Sequence, residues 1–248
     1  TLDLLSGGRL DFGVGKGYRW NEFAGFHMAM EEADGRFEEA LEVITKSFVC
    51  DTPFTHRGRY WQFDDIVVEP PTAQRPHPPF WMGAGSPRSV QEVARRGYNL
   101  LLGQYDLADD IRGHVARFKA ESEARGRAFD AMQVGVARAV HIARDEDDLR
   151  AALERRFQGH LRINRLAQRP DGETRERFGA DEEVRRVCDE SALFGTPDQI
   201  ARKLEALRHG GVEYVLINFG GSRENIRRFA REIMPAFAGP PGLGIAAK

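Results

Sequence analysis

Two short stretches carry residues suited to one kind of chemistry. The first is Phe12-Gly13-Val14-Gly15-Lys16-Gly17-Tyr18, and the second is Pro79-Phe80-Trp81-Met82-Gly83-Ala84-Gly85-Ser86-Pro87-Arg88-Ser89. In each, an apolar strand-like run ends in small residues and then in a polar or cationic one. A parallel barrel presents backbone N–H groups and a positive side chain to a phosphate at its C-terminal rim in this way. Lys16 stands between Gly15 and Gly17, which leave its ammonium unobstructed by neighbouring side chains. Taken alone, that stretch also reads as a glycine-rich turn with a solvated lysine. The second stretch favours phosphate, because Gly83-Ala84-Gly85 permits close backbone approach and Ser86 and Ser89 begin a helix whose free N–H groups attract an anion. Ser86 is equally an N-cap with Pro87 at the first helical position, and one hydroxyl can cap while the other binds.

The elements that must hold these residues alternate. Apolar runs at Arg9–Val14, Pro79–Gly83, Asn99–Leu102, Gln133–Ile142 and Glu213–Asn218 read as strands. Amphipathic runs at Asp34–Phe48, Ser86–Arg96, Leu107–Arg125, Asp145–Leu166 and Arg223–Phe237 read as helices. Such alternation builds βαβ units and a parallel sheet, either open and doubly wound or closed into a barrel. Asp106 is placed to cap the helix near Leu107 and Gly126 to end it. Thr196-Pro197-Asp198 caps a helix over Gln199–Arg208, which Gly210-Gly211 stops. Residues 54–69, with Phe54, Tyr60, Trp61 and Phe63 around a glycine, read as an inserted hairpin. Residues 167–190, polar around Pro170-Asp171-Gly172, read as a mobile excursion and candidate lid.

Bulk properties exclude several classes. The 248 residues suit a single α/β barrel domain, and a net charge of −2 leaves no basic field for nucleic acid. No run has the apolar length of a membrane helix, and with Cys50 and Cys188 alone there is no disulfide framework. The absence of a basic-then-apolar leader gives a cytoplasmic expectation. Arginine outnumbers lysine 31 to 5, which makes Lys16 an unusual choice. The seven histidines show no metal-ligand spacing, so no metal is expected, and no G-x-S-x-G elbow or reactive cysteine context points to a hydrolase. Charged runs such as Arg144-Asp145-Glu146-Asp147-Asp148 read as solvated helix faces.

The order of many weak motifs resembles the luciferase-like monooxygenases, a family of flavin-dependent (β/α)8 barrels. The matching residues are Leu2 to Leu10, Gly13 to Tyr18, Glu22-Phe23, Gly25-Phe26 and Arg36 to Glu42. They continue with Gly58-Arg59-Tyr60-Trp61, Arg75 to Pro79, the Gly83–Ser89 stretch and Gly195-Thr196-Pro197. The resemblance implies a TIM-barrel-like α/β fold and FMN as cofactor. It puts the flavin phosphate on Lys16, within Gly15–Tyr18, and on Gly83, Ala84, Gly85, Ser86 and Ser89, with Gly103 near the flavin ring. Tyr18, Trp20 and Phe23 are candidates to wall the pocket, though aromatics after a strand also pack into cores. The implied activity is oxidation of a small organic substrate with oxygen and FMNH2 from a separate flavin reductase, in a homodimer. A deazaflavin-dependent hydride transfer and a non-catalytic flavin binder are the alternatives.

Against the family pattern, about five of the eight βα units are found, as Thr1–Ser6 matches the end of the third helix. Five of eight strands leave sheet edges unpaired, which truncation, pairing of the edges with another chain, or a reduced barrel would each explain; truncation at the N-terminus is the simplest expectation, with the catalytic residues upstream, so none is assigned here.

Overall fold

The computed structural model describes residues 1–171 and 180–238. They form two compact units, one comprising Thr1–Trp81 with a short segment from Arg165, the other Met82–Asn164 with the residues that follow 180.

The first unit opens with helix α1 (Leu2–Ser6), strand β1 (Phe12–Val14), helix α2 (Trp20–Gly25) and helix α3 (Ala33–Val49), followed by strands β2 (Phe54–Arg57) and β3 (Gln62–Ile66). β1 begins three residues later than the apolar pattern suggests. The reason is local: the Arg9 N–H donates to Ser6 Oγ, its Nε to Ser6 O, and Leu10 O accepts from Gln74 Nε2, so these residues are satisfied outside the sheet. Phe12 N–H then donates to Pro79 O at 2.9 Å, alongside strand β4 (Phe80–Gly83). Edge-to-face contacts of Phe12 with Phe48 and Phe80, at 5.3 and 5.4 Å, pack β1 against the end of α3.

β2 and β3 pair antiparallel within the 54–69 segment. Their connecting turn is held by one half-buried carboxylate: Glu39 on α3 accepts from the backbone N–H groups of Arg59, Tyr60 and Trp61 and contacts His56 Nε2 at 3.3 Å. Arg36, one turn earlier, lies over the Tyr60 ring at 4.7 Å. A Cβ on Gly58 would stand 1.9 Å from Glu39 Oε1, so glycine is required here by close approach. Phe23 is buried with Met30 and Ala33, and Trp20 packs on them, which makes these two aromatics core residues.

The second unit continues from the end of β4 through helix α4 (Pro87–Arg96), strand β5 (Asn99–Leu102), helix α5 (Ala108–Glu123), strand β6 (Val134–Ile142) and helix α6 (Glu146–Ala167). It closes with helix α7 (Asp181–Ser191), strand β7 (Leu193–Gly195), helix α8 (Pro197–His209), strand β8 (Tyr214–Asn218) and helix α9 (Arg223–Glu232). β6 is parallel to β5, to β8 and, at its far end, to β7. Alternate residues Val134, Val136, Val140 and Ile142 of β6 are buried, the first two with α4, α5 and β5, the last two with β7, α8 and α9. This is the helix-covered parallel sheet expected of an α/β fold.

Differences from the sequence reading are local. β7 is a three-residue strand, too short to carry a periodicity. Residues 181–190 form most of α7, with Val184 and Cys188 buried against Phe157 of α6, whereas residues 172–179 of the candidate lid lie outside the described residues. The helix after β8 stops at Glu232, near Pro235, and gives way to a short 3-10 turn. Thr196 and Gln199 form a reciprocal capping box at α8, and Gly126 follows α5 with φ +73°. Asp106 does not cap α5; its carboxylate turns back to Gly103 N–H at 3.0 Å, and Leu107 occupies the cap position.

Candidate functional site

In the second unit, β4 and β5 deliver two neighbouring segments at their C-terminal ends. Ala84 N–H donates to Leu101 O at 3.1 Å, which sets Gly83–Ser89 beside the residues leading to Gly103. Ser86 caps α4, and the box is complete: Ser89 N–H donates to Ser86 Oγ at 3.2 Å, Ser86 N–H donates to Ser89 Oγ at 3.0 Å, and the two hydroxyls lie 2.8 Å apart. Ser89 Oγ also donates to Ser86 O at 2.9 Å. Both hydroxyls thus serve the cap, rather than one capping while the other stays free. Turning the Ser86 hydroxyl about its C–O bond redirects that proton to a ligand without moving a heavy atom.

The glycines separate by cause. Gly17 has φ +75° and a Cβ there would meet Phe23 Cε2 at 3.2 Å, so backbone and packing both demand glycine. Gly15 and Gly85 have no positive φ and nothing within 4 Å of a built Cβ; Gly83 has only Leu101 O at 4.0 Å. Neither conformation nor packing within the protein requires glycine at these three positions. Open space above the backbone at the start of a capped, ten-residue helix fits a phosphate that approaches main-chain N–H groups closely.

In the first unit, Lys16 Nζ lies 2.5 Å from Asp34 Oδ1 at the start of α3, with both side chains substantially exposed. An exposed pair of this kind contributes about 0–1 kcal/mol, so the ammonium can exchange its partner for an anion at small cost. Tyr18 is half-exposed, its hydroxyl accepting from Arg19 Nη2 at 3.0 Å.

Gly103 sits in the loop between β5 and α5, and here the sequence reading missed the residues with the largest energetic stake. Arg138 on β6 and Arg156 on α6 are buried and donate to this loop. Burial lowers the Arg138 pKa to about 10, partly offset by the Asp106 carboxylate, so it stays charged at neutral pH. Burial also lowers Arg156 and His160 and raises Asp106 and the Cys188 thiol, which keeps Cys188 an inert core group. Tyr105 lies against Arg156 and the His160 ring, each at 4.3 Å. Two signals were present in the sequence: an arginine inside the apolar run Val134–Ile142, and Arg156, His160 and Asn164 at four-residue spacing on one helix face. Among the described residues no group of histidine, cysteine and carboxylate side chains is arranged to hold a metal.

Comparison with known proteins bears on the family and the fold. The model of the luciferase-like monooxygenase family matches residues 1–214. The FMNH(2)-dependent dimethylsulfone monooxygenase of Pseudomonas putida is 29% identical over 95% of this chain and 68% of its own length. Among solved structures, monooxygenase RslO1 from Streptomyces bottropensis superposes with a TM-score of 0.76 at 22% identity, covering 96% of this chain and 71% of that one. An F420-dependent secondary alcohol dehydrogenase gives 0.72 at 16% identity, covering 96% and 73%. These likenesses establish the α/β, TIM-barrel-type fold expected from the sequence, and the match over most of its residues shows that the chain belongs to the luciferase-like monooxygenase family.

Proposed function

We propose that the chain is the oxygenase component of a two-component system, taking FMNH2 from a separate flavin reductase and oxidising a small organic substrate with molecular oxygen. The observation that carries the reading is the open backbone at Gly83 and Gly85 where β4 leads into the capped N-terminus of α4. Bound reduced FMN supplies the electrons and the oxygen-activating centre. The chain's own residues bind and orient it. Because the capping box occupies the Ser86 and Ser89 N–H groups and Pro87 has none, the Arg88 N–H, the redirected Ser86 hydroxyl and the dipole of α4 receive the phosphate, with Ser89 holding Ser86 in place. Lys16 supplies a compact positive charge that leaves Asp34 for the phosphate, with Gly15 and Tyr18 beside it. The Gly103–Asp106 loop borders the ring and helps keep water from it.

FMN is favoured over a deazaflavin because the dimethylsulfone relative is named for FMNH2 and is more similar in sequence than the F420-dependent neighbour. The same reading includes a homodimer, tested by light scattering for twice the chain mass, and cytoplasmic residence beside the reductase, tested by cell fractionation. No helix among the described residues is long and apolar enough to cross a membrane. The direct test is turnover: the purified chain with a flavin reductase, FMN, a reduced nicotinamide and oxygen should oxidise candidate small organic substrates in step with nicotinamide use. Tight flavin binding with only hydrogen peroxide as product would favour the non-catalytic binder, and hydride transfer to a deazaflavin would favour the other alternative.

A further inference from the structure

Burying a guanidinium costs several kcal/mol unless its charge and its donors are met. Arg138 is 3% exposed and Arg156 9% exposed, yet neither is paired with a carboxylate at salt-bridge distance among the described residues. Their donors go to main-chain carbonyls of a single loop. Arg138 Nη1 donates to Gly103 O at 3.0 Å and its Nη2 to Asp106 O at 2.7 Å, while Arg156 Nη2 donates to Gln104 O at 2.9 Å. Two cations from different elements, β6 and α6, therefore converge on three of the four carbonyls between Gly103 and Asp106.

Each arginine is itself fixed. Arg138 Nη1 also reaches Ala137 O at 3.0 Å. Arg156 Nε donates to Cys188 O at 2.9 Å and its Nη2 to Ser191 Oγ at 2.9 Å, both on α7. The clamp extends to a side chain, since the Tyr105 ring lies against the Arg156 guanidinium and the His160 imidazole. From the other side, Asp106 Oδ2 accepts the Gly103 N–H. The planar Arg138 fork reaches two loop carbonyls from separate nitrogens held at fixed spacing, whereas a lysine or an amide carries all its donors on one nitrogen. A loop this constrained loses little entropy when something binds against it.

We propose that Arg138 and Arg156 are positioning residues for the flavin ring, holding the backbone of Gly103–Asp106 and the Tyr105 side chain in the geometry that receives it. The inference rests on the reading that this loop borders the bound flavin. Neither arginine is assigned a contact with the cofactor; both act through the loop.

The test uses the whole chain with two variants, Arg138→Gln, which keeps one amino group but loses the charge and the fork, and Arg156→Lys, which keeps the charge. Hydrogen exchange is followed for amides 103–107 and, as an internal reference, for Gly83–Ser89. Anaerobic titrations with reduced FMN and reduced riboflavin are run in parallel. Losing one or two charged hydrogen bonds should speed exchange at 103–107 by roughly tenfold or more and weaken both flavins by a similar factor. The FMN-to-riboflavin affinity ratio and exchange at Gly83–Ser89 should stay unchanged, because the phosphate end is untouched. General destabilisation would instead move both regions together. Faster loop exchange with unchanged flavin affinity overturns the positioning role, as does unchanged exchange. If Arg138→Gln does not fold, Arg156→Lys, which acts from a separate helix, decides by the same readouts. A wild-type chain that binds neither flavin removes the proposed function and the positioning role together, whereas normal wild-type binding with indifferent variants removes only the latter.

Discussion

Replacing Gly85 with alanine should leave the fold intact and damage flavin binding. A Cβ at this position meets no protein atom within 4 Å, and the residue does not occupy the left-handed region. Alanine restricts the unfolded chain, so stability should hold or rise by about 0.4–1 kcal/mol. A methyl group standing where a phosphate approaches the backbone would instead disrupt one charge-assisted hydrogen bond of roughly 1.5–3 kcal/mol. The dissociation constant for reduced FMN should therefore rise by roughly tenfold to a hundredfold. Gly17→Ala differs on the stability side, since φ +75° and the Phe23 contact should cost the fold about 1–2 kcal/mol. Thermal unfolding and flavin titration of both variants separate the cases. A Gly85→Ala chain that is destabilised, or that binds FMN as well as wild type, would refute the argument that ligand approach explains this glycine.

Further outcomes follow from the same physics. Lys16→Ala should weaken FMN binding by roughly tenfold while changing stability by less than about 1 kcal/mol, because its partner Asp34 is exposed; isothermal titration and urea unfolding check both halves. Asp148 has a pKa of about 2, lowered by the backbone and then the side chain of Arg144 and by His141, against an opposing push from burial. Its folded pKa lies below the unfolded value, so its contribution is complete above about pH 4 and fades as pH falls towards 2. Asp148→Asn should remove about 2 kcal/mol of stability at pH 6 and flatten the acid limb of the stability curve. Glu39→Ala should free the β2–β3 turn, read as faster tryptic cleavage after Arg57 or Arg59 with little change in the second unit. Burial raises the Glu39 pKa, but hydrogen bonds from Trp61, Tyr60, His56 and Arg59 outweigh it and leave the carboxyl lowered. The wild-type hairpin should accordingly lose protection only when pH drops below the ordinary carboxylate range.

The regular elements were legible where their signals are local. The Ser86 and Thr196 boxes are written in three or four residues, and β6 is written in alternating valines, so the structure and the sequence agree there to within a residue or two. Elements that exist through tertiary contact were not legible. β7 has three residues and, among the described residues, pairs only with Val140–Ile142, and α7 is polar apart from Val184, Val187 and Cys188. The run Arg144–Asp148 reads as a solvated face, yet the Asp148 side chain is only 12% exposed and binds His141 and the Arg144 backbone. Arg138 and Arg156 were overlooked for a related reason. In an arginine-rich chain another arginine is unremarkable by type, and their partners are carbonyls, which no side-chain motif announces.

In the proposed function this chain grips flavin by its phosphate at the Gly83–Ser89 rim. The most direct test is an anaerobic titration of the purified chain with reduced FMN and with reduced riboflavin, which differ only in that phosphate. A phosphate seated on the start of α4 predicts that FMN binds at least roughly tenfold more tightly, with the difference shrinking as salt or inorganic phosphate is added. Equal affinities for the two flavins, insensitive to phosphate, would contradict the account.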